Sequence, residues 1–280
     1  MASYAWPALF ALGIWWLSTG AIMYVSGLSA RSFRWSLPSI SLLALGSIGM
    51  ASVLGQTTTE TGAYLGFVLG LTVWAWHEMT FLTGLVTGPQ TGPLRASAKG
   101  FERLMRAIGA ILWHELAIIA TAGALAVLTW DAPNKMALWT FCLLWAMRTS
   151  AKFNLFYGVR NLSADLLPDR MRYLATYFRQ APCNWFFPLS IVASCTIAAA
   201  LFATIQSSDV NPFHAASCAL LGALLCLGIL EHLLMVLPIS TNWLWRWSLR
   251  SRTTSHKSEQ HKPHDLLSAQ PRLASAKYSD

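Results

Sequence analysis

Val73-Trp74-Ala75-Trp76-His77-Glu78-Met79-Thr80-Phe81-Leu82-Thr83-Gly84 sets a histidine and a carboxylate side by side in a run otherwise fit for lipid. The pairing recurs in Trp113-His114-Glu115-Leu116 and, reversed, in Leu230-Glu231-His232-Leu233, each well inside its own apolar stretch. An ionised side chain at membrane depth costs about 2.5–3.5 kcal/mol on insertion scales, so such groups face a bundle interior and meet partners there. The three pairs therefore predict a helical bundle in a membrane with a polar layer inside it.

Composition agrees. Of 280 residues, 55% are hydrophobic and 11% charged, against about 25% charged in soluble domains. Twenty Lys and Arg face twelve Asp and Glu. The basic residues gather in loops and the C-terminal tail, not on one folded face, which argues against a nucleic-acid partner and for membrane lipids. Cys142, Cys183, Cys195, Cys218 and Cys226 show no CxxC spacing and no disulfide framework. The N-terminal apolar run has no basic n-region and reads as a retained span.

A helix needs about 20 mostly apolar residues to cross the hydrocarbon core, and seven stretches meet that length: 4–28, 37–56, 62–87, 107–130, 136–157, 185–206 and 212–237. The expected fold is thus all-α: a polytopic membrane protein whose one domain spans 1–250. Arg31 and Arg34 close the first span, Gly88-Pro89 the third, and Asp131-Ala132-Pro133-Asn134 turns the fourth into the fifth. The segment 168–178 mixes Arg170 and Arg172 with Met171, Tyr173, Leu174 and Tyr177, and reads either as a short interfacial helix or as a solvated loop. Trp243-Leu244-Trp245-Arg246-Trp247 reads as an aromatic interface anchor. Residues 251–280, with His256, His261 and His264, read as a polar, disordered tail. Basic loops alternate with loops holding Glu60, the Asp131/Lys135 pair and Asp209, which puts the N-terminus in the periplasm and the C-terminus in the cytoplasm of a bacterium.

With that orientation, His77, Glu78, His114, Glu115, Arg148, Glu231 and His232 all fall roughly 10–15 Å from the cytoplasmic interface at 1.5 Å per residue. Arg148 and Lys152, four apart, share one face of the fifth helix. One reading is electrostatic: Glu78, Glu115 and Glu231 neutralise Arg148 and Lys152, and the histidines add hydrogen bonds. The other is a cofactor site, with His77, His114, His232, Glu78, Glu115 and Glu231 as candidate ligands of a divalent metal, or one histidine as axial ligand of a magnesium tetrapyrrole. Neither HExxH nor Glu-x-x-His spacing is present. Thr80, Thr83, Thr149, Ser150 and Asn154 are the supporting polar residues of either site.

Trp76-His77-Glu78-Met79-Thr80-Phe81-Leu82-Thr83-Gly84-Leu85-Val86-Thr87-Gly88-Pro89, His114-Glu115-Leu116-Ala117, Arg148-x-Ser150-Ala151-Lys152-x-Asn154 and Arg172-Tyr173-Leu174-x-x-Tyr177-Phe178-Arg179 together resemble the PuhE family of photosynthetic complex assembly proteins from purple phototrophic bacteria. The likeness covers about residues 5–250. It implies an inner-membrane, multi-pass assembly factor for the reaction centre and light-harvesting complex, linked to bacteriochlorophyll supply or insertion. The implied partners are reaction-centre or light-harvesting subunits or other assembly factors, with bacteriochlorophyll as a candidate cofactor. It carries no catalytic residues across. Two other functions fit the same buried residues: an intramembrane metal-dependent enzyme acting on a lipid or tetrapyrrole intermediate, with Glu78 or Glu115 as proton acceptor, and a proton or small-solute carrier.

Overall fold

The computed structural model describes residues 2–207, 209–238 and Trp247. The expected tail and most of the Trp243–Trp247 anchor lie outside the described residues. Among the described residues seven α-helices form the bundle: α1 (Ala2–Ser26), α2 (Ala30–Val53), α3 (Glu60–Leu82), α4 (Gly100–Leu128), α5 (Met136–Tyr157), α6 (Phe186–Ile205) and α7 (Pro212–Val236). Short 3₁₀ turns occupy Leu54–Gln56, Ala164–Leu166 and Asp169–Tyr177, and no strand occurs among the described residues. Among the described residues six helices are long and apolar enough to cross a membrane on composition alone, and α5, which carries Arg148 and Lys152, is not one of them.

Local chemistry sets the helix ends. Thr59 Oγ1 accepts from the Gly62 amide at 3.1 Å to start α3. Gly84, at φ +78°, stops it: the Leu85 amide reaches the Thr80 carbonyl and the Gly84 amide the Phe81 carbonyl, both at 2.9 Å, a pattern a residue with a Cβ rarely adopts. Asn211 caps α7 through His214 N at 2.9 Å, with Pro212 in its first turn. Two helices begin about seven residues earlier than expected. Arg31 and Arg34 fall in the first turns of α2, and Arg103 and Arg106 in those of α4. Long basic side chains can leave a helix toward headgroup and water, so a basic stretch need not end it.

The middle of the bundle is α3, buried over most of its length and packed by α2, α5, α7 and α1. Gly62, Gly66 and Gly70 repeat every fourth residue along it, the small-residue spacing that lets membrane helices approach closely. A Cβ on Gly66 would stand 2.7 Å from Met136 Cβ, and one on Gly70 2.6 Å from the Ala137 carbonyl oxygen, so both glycines admit α5. On one side Phe67 and Leu71 pack with Phe213, Leu220 and Leu224 of α7. On another, Val73 and Trp74 meet Ile118 and Leu125 of α4 and Phe141 of α5. Large apolar side chains such as Leu42, Leu45, Val127 and Val192 point outward, as lipid-facing residues do.

Of the two readings of the 168–178 segment, the short helix is the one found, as a 3₁₀ helix over Asp169–Tyr177, and it is packed on the bundle and not a solvated loop. Met171, Leu174 and Tyr177 of the Asp169–Tyr177 turn are buried against Phe81, Leu82 and Ala110, closing one end of the bundle. Arg103 holds it there: its Nη2 donates to the carbonyls of Phe156 at 2.9 Å and Tyr177 at 2.7 Å, with the guanidinium 3.9 Å over the Phe156 ring. Arg170 adds a bond to the Ser26 carbonyl at 3.3 Å and lies 4.4 Å over Phe33. Burial lowers the pKa of Arg170 from its ordinary value and raises that of the Tyr177 phenol. Arg103 and Arg170 are thus internal ties.

Gly70→Ala is expected to cost about 1–3 kcal/mol by forcing α3 off α5. Gly123→Ala on α4, where an added Cβ meets nothing within 4 Å, is expected to stay within about 0.5 kcal/mol. Thermal unfolding of both variants in mild detergent checks this; equal midpoints would refute the close-approach role of Gly70.

Candidate functional site

The layer is built outward from α5. Arg148 and Lys152 stand one turn apart and reach different neighbours. Arg148 Nη2 lies 3.2 Å from Glu78 Oε2 of α3, and Lys152 Nζ lies 2.5 Å from Glu115 Oε1 of α4. Trp145, also on α5, donates from Nε1 to Glu115 Oε2 at 3.1 Å, so both oxygens of that carboxylate are engaged. Glu78 is less fully held: its Oε1 is buried with no hydrogen-bond partner among the described residues. Lys152 also lies 5.8 Å above the Phe81 ring, which favours the ammonium.

The histidines split into two places. His77 and His114 are neighbours across α3 and α4, with ring centroids 6.2 Å apart, and both are fully buried. His77 Nε2 meets the Thr121 hydroxyl at 3.1 Å. His114 is wedged 4.4 Å from the Phe81 ring, and neither of its ring nitrogens has a hydrogen-bond partner among the described residues. Its backbone amide is bonded to the Thr87 carbonyl at 2.9 Å, which ties the chain leaving α3 to the flank of α4. His232 sits apart, between α7 and α5. Its Nδ1 is 2.8 Å from the Gly228 carbonyl and its Nε2 2.9 Å from the Ser150 hydroxyl. A carbonyl only accepts, so Nδ1 carries the proton and, in the neutral ring, Nε2 accepts from Ser150.

The six candidate metal ligands are thus not gathered. Among the described residues no three His, Cys, Asp or Glu side chains stand close enough together to hold a metal ion. Of the supporting polar residues, Ser150 serves His232. Thr80 and Thr83 bond back to carbonyls of their own helix, at 2.9 Å to Trp76 and 2.7 Å to Met79. Asn154 belongs to the α5–α6 contact through Ser190 at 3.3 Å and Asn184 at 3.1 Å. The Thr149 hydroxyl is buried without a hydrogen-bond partner among the described residues. Two partners escaped the sequence reading, Thr121 and Trp145. Trp145 precedes Arg148 by three residues and Lys152 by seven, the spacing of one helix face, and that was the available signal.

Among the described residues Glu231 forms a salt bridge with neither cation, although Arg148 lies near enough to act on its carboxylate through space. It is exposed and borders a cavity of about 330 Å³ enclosed by α1, α3, α5 and α7, with one side formed by the segment between α5 and α6. Glu78, Arg148 and Lys152 border the same cavity, and apolar residues including Trp15, Met23, Trp74 and Leu224 supply most of the remaining wall. Geometry of this kind positions helices, neutralises buried charge, and can receive an apolar molecule with a polar end.

Fold and site together define a multi-pass α-helical membrane protein with an ion-paired layer inside its bundle. The chain belongs to the family described as Protein of unknown function (DUF3623), whose sequence profile matches residues 1–256. It is also similar to an uncharacterized 30.4 kDa protein in the puhA 5′ region of Rhodobacter capsulatus, with 36% identity over 250 residues, 87% of this chain and 90% of that protein. Both findings agree with the PuhE-family resemblance of the sequence. No solved structure matches.

Breaking a buried ion pair by removing one partner is strongly destabilising, whereas replacing both by apolar or neutral groups is often tolerated. The Lys152 and Glu115 side chains are 20% and 21% exposed, while Arg148 is 41% exposed. Lys152→Ala is therefore expected to cost about 3 kcal/mol and Arg148→Ala less, with Lys152→Met/Glu115→Gln regaining most of the loss. Detergent melting curves check the order; a double variant no more stable than Lys152→Ala would contradict it.

Proposed function

We propose that this protein is an inner-membrane assembly factor for the bacterial photosynthetic reaction centre and light-harvesting complex, with a part in bacteriochlorophyll supply or insertion. The observation that carries the reading is the relative in the puhA 5′ region, which spans nearly the whole chain and agrees with what the PuhE-family resemblance implies. The geometry is compatible with a binding role: Glu78, Glu115, Arg148 and Lys152 are engaged with one another, and the lipid-facing surface leaves long apolar helix faces for lateral contact with membrane subunits.

In this reading all seven α-helices span the membrane. α5 falls short on hydropathy because of Arg148 and Lys152, and both cations meet carboxylates inside the bundle, which offsets their cost of insertion. The N-terminus is periplasmic and the C-terminus cytoplasmic. This follows from Arg31, Arg34, Arg95, Lys99, Arg160, Arg172 and Arg179 lying on one side and Glu60, Asp131 and Asp209 on the other.

Deletion of the gene in its phototrophic host is expected to lower the near-infrared absorption of assembled complexes in membranes. Wild-type protein should restore it and Lys152→Ala should not. Full complex levels in the deletion strain would overturn the assembly role. In a Cys183→Ser background, a membrane-impermeant thiol reagent on intact spheroplasts is expected to label Ser207→Cys and spare Ser97→Cys; the reverse pattern would invert the orientation.

A further inference from the structure

Positive charge collects at the end of the bundle closed by the Asp169–Tyr177 helix. A parallel bridge joins Val159 to Gln180, with the Val159 amide bonded to the Arg179 carbonyl and the Ala181 amide to the Val159 carbonyl, each at 3.1 Å. Arg160 and Arg179 flank this bridge, one on each segment, and both are exposed. The stem of Arg179 crosses Gly158, where an added Cβ would stand 3.3 Å from its Cγ. Arg103 lies near enough for Arg179 to act on it through space, and the groups that hold Arg103 are carbonyls, which bring no full charge. Of the carboxylates at this end, Glu102 pairs with Arg106 and Asp169 with Arg172, and Asp165 has an interaction of its own. Arg160 and Arg179 form no ion pair among the described residues.

Beside these cations the end of α5 and the start of α6 build an aromatic cluster. The Tyr157 ring centroid is 5.3 Å from Trp185 and 6.1 Å from Phe186, and Phe153 is 5.7 Å from Phe186. Trp185 is 67% exposed, so the cluster faces outward from the bundle. Asn184 Oδ1 accepts from the Phe186 and Phe187 amides at 2.9 Å and 3.0 Å, so the first donors of α6 are taken and the arginines are what an anion would meet. Aromatic rings at the ends of membrane helices sit at headgroup level, and guanidinium groups match phosphate in charge and geometry. A soluble anion would use the arginines alone; a phospholipid uses the rings as well, through its glycerol and the first part of its acyl chains. A zwitterionic lipid brings its own cation to the phosphate, whereas an anionic one leaves the full charge to the protein. We propose that Arg160 and Arg179, with Tyr157 and Trp185 beside them, form a binding site for the head of an anionic phospholipid, as basic pockets between membrane helices do elsewhere. The site does not depend on the assembly role, nor on which side of the membrane this end faces.

The test uses the full chain in phosphatidylcholine nanodiscs carrying a trace of one of two photoactivatable lipids, a phosphatidylglycerol or a phosphatidylcholine, with the same diazirine-bearing acyl chain. After irradiation, cross-linked peptides are mapped. The phosphatidylglycerol probe is expected to label the peptides holding Tyr157 and Trp185 at least ten-fold more than the phosphatidylcholine probe. Arg160→Gln and Arg179→Gln are each expected to lower that preference about five-fold, since one cation near a membrane surface contributes about that factor, and the double variant to abolish it. Arg31→Gln/Arg34→Gln removes as much charge from the start of α2 at the same end of the bundle and is expected to leave the preference unchanged. Inorganic phosphate at matched ionic strength is expected not to compete, and melting curves confirm that each variant folds. Should the double variant misfold, the single variants and the wild-type preference still decide. Equal labelling by the two probes, a preference kept in the folded arginine variants, an equal loss in the α2 variant, or displacement by inorganic phosphate would each overturn the proposal.

Discussion

Two cations one turn apart on a single helix govern the rest of this molecule. Arg148 and Lys152 leave α5 short of the composition of a membrane span, and their charge is met by carboxylates that neighbouring helices present to them. These are Glu78 on α3 and Glu115 on α4, at 3.2 Å and 2.5 Å. Each pair fixes the rotation and depth of one helix against α5, because a shift of one residue along a helix turns a side chain by about 100°. Gly66 and Gly70 then let the α3 backbone come close enough for the shorter contacts to form. Charge pairing selects the arrangement and apolar packing fills it.

The layer is not uniformly satisfied, and its uneven parts are where the bundle opens. Glu115 is saturated by Lys152 and Trp145, between helices packed by Val73, Ile118 and Phe141. Glu78 is half satisfied, and Glu231 borders open space. Buried, closed pairing lies toward α4, and accessible charge toward α1 and α7.

The helices and the ionised layer could be read from the chain because both rest on local rules: runs of about 20 apolar residues and charges too costly to leave alone in lipid. Pairing of Arg148 and Lys152 with glutamates was one of two readings open in the sequence; Glu78 and Glu115 make those pairs, and Glu231 forms no salt bridge among the described residues. What was not legible depended on three-dimensional neighbours. The 168–178 segment has the composition of a surface element, yet Met171, Leu174 and Tyr177 are buried because Arg103 and Arg170 spend their donors on backbone carbonyls inside the fold. His232 has the same local sequence character as His77 and His114, but it lies across the bundle, bonded to Ser150. That separation is why three histidines do not make one metal site. The cavity left no local signature, since its walls come from helices far apart in sequence.

Carboxylates on α3 and α4 meet the cations of α5. A charge exchange at Glu78 and Arg148 tests that pairing most directly, with Glu78→Arg, Arg148→Glu and the two combined compared for yield of folded protein and melting midpoint in mild detergent. Direct pairing predicts that each single exchange, which brings like charges together, sharply reduces folded protein and that the combined exchange recovers a large part of it. A combined variant as poor as the worse single would show that these residues do not pair, and the account of how α5 is held would fail.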